Sequence, residues 1–111
     1  MKCNSTLAAA VLAIAALTAV CVPALAQITG PGRKEFVDSS RQSCSEGMHK
    51  ANPKLPANAT DTYCSCMAEA EADMTTQADV EYMAAHNAAT EDYRKRVLAL
   101  APACKTKAGL K

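Results

Sequence analysis

Four of the six cysteines, Cys44, Cys64, Cys66 and Cys104, are the residues of this chain best equipped for chemistry. Thiols at such spacings can close disulfides or exchange electrons with other thiols. With His49, His86 and neighbouring methionines, they can also hold a soft metal such as Cu(I) or Zn(II). Thiol exchange of the thioredoxin type uses Cys-x-x-Cys at the start of a helix that follows a strand, whereas the pair here is Cys64-Ser65-Cys66. Haem attachment requires Cys-x-x-Cys-His, which is absent. Met67, Met74 and Met83 fall on positions expected to face a core, where methionine fills space. His86 projects away from the apolar stripe of its own segment. Structural disulfides are therefore the expectation for all four cysteines, with no metal and no cofactor. A copper or zinc carrier, or a thiol-redox protein, acting through Cys64 and Cys66 is the alternative.

Other chemistry is not encoded in a recognisable way. No serine lies in a Gly-x-Ser-x-Gly turn, and there is no glycine-rich phosphate loop. Glu69 and Asp73 are spaced as neighbours on a helix face, an arrangement that on a charged face is solvated more often than catalytic. No catalytic residue is assigned, and the chain is expected not to be an enzyme.

The N-terminus bears on the redox compartment. Lys2 precedes a weakly polar to apolar run from Leu7 to Val22, followed by Pro23 and Ala24-Leu25-Ala26. A charged start, a short apolar stretch, a helix breaker and small residues at −3 and −1 form the pattern of a cleaved secretory signal. The run of 16 residues is shorter than the roughly 20 needed to span a bilayer. Lipidation at Cys21 is disfavoured because Val20 stands where a small residue is needed. Residues 1–26 are thus expected to be a signal peptide cleaved between Ala26 and Gln27, leaving a periplasmic or secreted chain with no stable membrane insertion. Such a compartment permits disulfides.

Cleavage leaves 85 of 111 residues, enough for one domain. With one Phe, three Tyr and no Trp, and with alanine supplying much of its apolar content, the domain buries little area per residue. A domain of this size often needs covalent staples. Its 11 basic and 11 acidic side chains cancel, and no dense basic stripe is interleaved with aromatics, which argues against nucleic acid. The charges are segregated, however. Asp61, Glu69, Glu71, Asp73, Asp79 and Glu81 occupy one stretch, and Arg94, Lys95, Arg96, Lys105, Lys107 and Lys111 close the chain. Acidic and basic helices lying side by side explain this more simply than an acidic docking face.

The elements that must position the cysteines follow from hydrophobic periodicity. Residues 27–32 are expected to be a disordered leader, and residues 33–111 a helical domain. A first helix over about 33–50 places Phe36, Val37, Ser40, Cys44, Gly47 and Met48 on one face. Asn52, Pro53, Pro56 and Asn58 make a loop. A second helix, capped by Thr60 or Asp61, is predicted to run to about Met74 with Tyr63, Met67, Ala70 and Met74 inward. Thr76 and Asp79 resemble a capping box for a third helix over about 77–86 that buries Val80, Met83 and Ala84. Thr90 caps a fourth, with Tyr93, Val97, Leu100 and Cys104 on one face and a kink or break expected at Pro102. No segment alternates with period two, so no strand is expected.

On the second helix Cys64 and Cys66 diverge by about 200°, too far apart to bond to each other. Cys44 must then pair with one and Cys104 with the other, and the sequence leaves both pairings open. The arrangement of a single Cys, then Tyr63-Cys64-Ser65-Cys66, then a final Cys resembles a broad set of small, mostly uncharacterised exported bacterial proteins. The resemblance covers about residues 36–104. It implies an all-α fold, a small three- to four-helix bundle stapled by two disulfides, and no particular activity. The expected role is a non-enzymatic binding or accessory module with an unknown protein partner, such as an inhibitor, an immunity-type protein or an envelope chaperone.

Overall fold

The computed structural model of the chain describes residues 27–111. The expected signal peptide and Ala26 lie outside the described residues. Four helices follow in order: α1 (Gly30–Ala51), α2 (Ala57–Met74), α3 (Gln77–His86) and α4 (Glu91–Ala108). The fold is all-α, and two disulfides staple it. Helix α2 is the centre, packed by α1 on one flank and α4 on the other. The short α3 makes few contacts, and none of its residues is fully buried.

The segment 27–32 is a correction to the expected leader. Gln27 forms an isolated antiparallel bridge with Thr76, and the Ile28 N–H donates to the Thr75 carbonyl at 3.4 Å. The α1 helix begins at Gly30, whose φ of +64° is one that glycine adopts without penalty. Pro31 fits the first turn because its missing N–H would have had no acceptor there. Ile28 and Phe36 pack against a small core cluster of Val37, Ala68 and Ala72, and this burial orders the segment.

Helix α2 also starts earlier than expected, at Ala57 after Pro56. Proline brings no N–H of its own to that position, and its φ of −60° suits entry into a helix. Thr60 therefore sits inside the first turn, 4% exposed, rather than capping it. The buried line of α2 is Thr60, Cys64, Ala68 and Ala72. The expected stripe of Tyr63, Met67, Ala70 and Met74 is only half-buried. The reason is steric. Disulfides bring α1 and α4 so close to α2 that the bridged Cα atoms lie 5.6 and 5.5 Å apart. Helix separation is set by the side chains at the contact, so small residues occupy the α1 contact beside the bridge. The larger apolar residues are displaced toward the gap between the flanking helices.

Helix α3 has its capping box in full. Asp79 N–H donates to Thr76 Oγ1 at 3.2 Å, and Thr76 N–H donates to Asp79 Oδ2 at 2.9 Å. The helix ends at Asn87 in the left-handed conformation. Val80 and Met83 are half-buried and Ala84 is exposed, so the expected apolar face of α3 is only partly covered. On α1, Gly47 is exposed rather than inward.

Helix α4 keeps its predicted inward face, with Tyr93 and Cys104 buried and Val97 and Leu100 half-buried. It runs unbroken through Pro102, against expectation. Proline removes the donor that would serve the Leu98 carbonyl, but Pro102 and Leu98 both lie on the solvent side, Leu98 being 72% exposed. Water can satisfy that carbonyl, so the helix tolerates the proline at a cost. Pro102→Ala is expected to stabilise the protein by about 1–3 kcal/mol by restoring one helical bond. A rise in thermal midpoint would register the gain, and an unchanged or lowered midpoint would contradict it.

Candidate functional site

The sulfur chemistry is settled first. Cys44 on α1 is bonded to Cys64, and Cys66 is bonded to Cys104 on α4. Two cysteines one residue apart thus reach opposite neighbours, as their divergence around the helix requires. Cys64 and Cys104 are buried, at 1% and 2% exposure, while Cys44 and Cys66 are half-buried. A carrier or exchange role for Cys64 and Cys66 acting together would need both sulfurs at one place, and they are tied to different helices. Among the described residues, no group of three or more His, Cys, Asp or Glu side chains is placed to hold a metal ion. His49 is exposed on α1. His86 stacks on Tyr82 with ring centroids 3.9 Å apart, and its Nδ1 lies 2.9 Å from the Tyr82 carbonyl.

The two flanking helices leave a groove over α2. Ser39, Ser40 and Ser43 of α1 line one wall, Val97 of α4 lies on the other, and Tyr63 and Met67 contribute to the floor. This is where the half-buried stripe of α2 emerges. Sequence periodicity correctly identified Tyr63 and Met67 as sharing a face; what it could not show is that this face opens into a groove.

The groove ends near a polar cluster that joins α2, α3 and α4, and which the sequence did not reveal. Tyr93 Oη lies 2.8 Å from Glu71 Oε1 and 3.0 Å from Thr75 Oγ1. Thr75 Oγ1 also lies 2.6 Å from the Glu71 carbonyl, closing the end of α2. Arg96 stands beside this group. Its Nη1 donates to the Met74 carbonyl at 3.1 Å, its Nη2 to Asp79 at 2.7 Å and its Nε to Asp92 at 2.9 Å. Its guanidinium carbon sits 5.2 Å from the centroid of the Tyr93 ring. The available signal was Glu71, a carboxylate on the inward half of α2, which needed a buried donor.

Burial raises the Tyr93 hydroxyl pKa above its ordinary range; the Thr75 hydrogen bond opposes this, and the Glu71 and Asp79 charges reinforce it. The hydroxyl therefore stays protonated and donates to Glu71 Oε1. Burial also pushes the Asp79 carboxyl up, but hydrogen bonds from the Thr76 N–H, Arg96 and the Thr76 hydroxyl, with the Arg96 charge, outweigh it. The net effect holds Asp79 below the usual carboxylate value. A carboxyl depressed in the folded state contributes stability that is present above its unfolded pKa and is lost as pH falls through the folded one. The wild type should therefore lose stability in acid more steeply than Asp79→Ala. At neutral pH this variant is expected to be weaker by about 1–2 kcal/mol, because the Thr76 N–H and Arg96 lose their carboxylate acceptor while the Thr76 side chain still caps the helix. Parallel stability–pH curves for the two proteins would overturn the assignment.

The acidic stretch is largely taken up by partners within the molecule. Arg33 of α1 contacts Glu69 at 2.9 Å and Asp73 at 2.8 Å, Arg96 holds Asp79, and Tyr93 holds Glu71. Cross-helix pairing is thus observed, although the cation for Glu69 and Asp73 comes from α1 rather than from the basic C-terminal end. Comparison with family models, with curated proteins and with solved structures returned no match in any of the three.

Proposed function

We propose that this is an exported, non-enzymatic protein of the periplasm or the extracellular space that binds another polypeptide through the groove over α2. Inhibitor, immunity-type and envelope-chaperone roles all belong to this class. One observation carries the reading: Cys64 and Cys66 of α2 fix a helix on each side of it, and the half-buried Tyr63 and Met67 lie in the gap that remains. A covalently spaced groove loses little freedom when a partner enters, which lowers the cost of binding. Tyrosine and methionine are side chains over-represented where proteins meet. No helix among the described residues is long and apolar enough to cross a membrane, and two disulfides suit an oxidising compartment.

The test is site-specific photo-crosslinking in the native envelope. Photoreactive residues at positions 63 and 67 should capture one and the same polypeptide, and a photoreactive residue at Lys95, exposed on α4, should not. Equal capture from all three positions, or none from 63 and 67, would defeat the proposal.

A further inference from the structure

The Cys44–Cys64 bridge has a third sulfur beside it. Met48 follows Cys44 by one turn on α1, is half-buried, and places its Sδ 3.6 Å from Cys64 Sγ. Neither sulfur carries a hydrogen in this state, so the contact is one of van der Waals packing between soft atoms. We propose that opening this bridge creates a binding site for a single Cu(I) ion, with Cys44, Cys64 and Met48 as a three-sulfur ligand set. This goes beyond the binding role above and does not depend on it.

The geometry is close to what such a site requires. With metal–sulfur bonds of about 2.3 Å, a trigonal arrangement separates its sulfurs by about 4 Å. Met48 Sδ and Cys64 Sγ are already near that spacing. Once the S–S bond is gone, small side-chain rotations supply the other two edges, because the Cα atoms of the pair are only 5.6 Å apart. Two thiolates and a thioether are a soft donor set, which selects Cu(I) over harder ions. The bound ion and two thiolates carry a net charge of −1. Arg41 lines the cleft at Cys64, with Asp38 and Asp61 beside it.

The electrons come from an external dithiol. Its thiolate attacks the half-buried Cys44 sulfur, the accessible end of the bridge, and Cys64 leaves as a thiolate. The second thiolate of the donor then attacks the mixed disulfide. The donor ends as a disulfide, the bridge has gained two electrons, and Cys44 is released as a thiolate. Cu(I) then binds both thiolates without any change in its own oxidation state. The bridge is in this sense a lock on the site.

The experiment uses the secreted chain carrying Cys66→Ala and Cys104→Ala, so that one thiol pair remains. The protein is reduced anaerobically with a phosphine and titrated with the acetonitrile complex of Cu(I) against a chelator of known affinity. The expected result is one Cu(I) per chain, three sulfur neighbours by X-ray absorption, and return of the helicity lost on reduction, since metal binding couples to folding. Adding Met48→Leu should weaken binding about tenfold or more and reduce the sulfur neighbours to two. The oxidised chain should bind none. The proposal is overturned if the chelator retains all the copper, if helicity does not return, or if Met48→Leu changes neither affinity nor coordination. Tighter binding of Zn(II), indifferent to Met48, would overturn it as well.

Discussion

Reduction of both disulfides is expected to unfold this protein at 25 °C. The Cys44–Cys64 bridge spans a sequence separation of 20 and Cys66–Cys104 one of 38. In the chain-entropy model these loops contribute about 3 and about 4 kcal/mol. Their total is comparable with the whole stability of a small domain, typically about 5–15 kcal/mol. The noncovalent core is poorly placed to compensate. Its central cluster is Val37, Ala68 and Ala72, and alanine removes little surface from water. Far-ultraviolet circular dichroism of reduced, alkylated protein should show loss of most helical signal. Retention of a cooperative thermal transition near that of the oxidised protein would mean that packing, not crosslinking, holds the fold.

Tyr93→Ala should have the next largest effect, about 3–5 kcal/mol. The side chain is 4% exposed and is the larger of the two buried residues on α4. Its ring supports Arg96, and its hydroxyl meets both Glu71 and Thr75. Tyr93→Phe separates these contributions. It keeps the ring and removes only the hydroxyl, leaving Thr75 and Glu71 short of a partner, and should cost about 1–3 kcal/mol. Chemical denaturation of the two variants gives the comparison. If Phe were as damaging as Ala, the hydrogen bonds would dominate and the packing argument would fail. If Ala were nearly neutral, the cluster would not bind the helices together at all.

The fold class was legible because local signals agreed with one another. Thr76 with Asp79, and Thr90 before Glu91 and Asp92, mark helix starts that side-chain capping bonds confirm. The divergence of Cys64 and Cys66 required two different neighbours and excluded a bond between them, and the structure has both features. The choice of neighbour was not legible, since periodicity gives a direction around a helix and not the identity of what lies there.

Periodicity on α2 selects the stripe of largest apolar residues, whereas the bridges bring the helices to a spacing at which Ala68 and Ala72 fit and Tyr63 and Met67 do not. Ile28 is a lone apolar residue among turn formers, without the repetition that makes a helical face visible. The backbone chemistry of Pro102 predicts a break, but its solvent exposure lets the helix continue. The Tyr93 cluster joins residues from three helices, and no spacing along one segment encodes such a junction.

The order of the bonded cysteines along the chain has a consequence for how the protein matures. Among the described residues each cysteine is joined to a sequential neighbour, Cys44 to Cys64 and Cys66 to Cys104. A chain threaded through a membrane from its N-terminus presents Cys44, then Cys64 and Cys66, and last Cys104. An oxidant that links thiols as they emerge can therefore reach the native pairing without a reshuffling step. On the proposed export route, maturation should tolerate loss of a disulfide isomerase far better than loss of the oxidase.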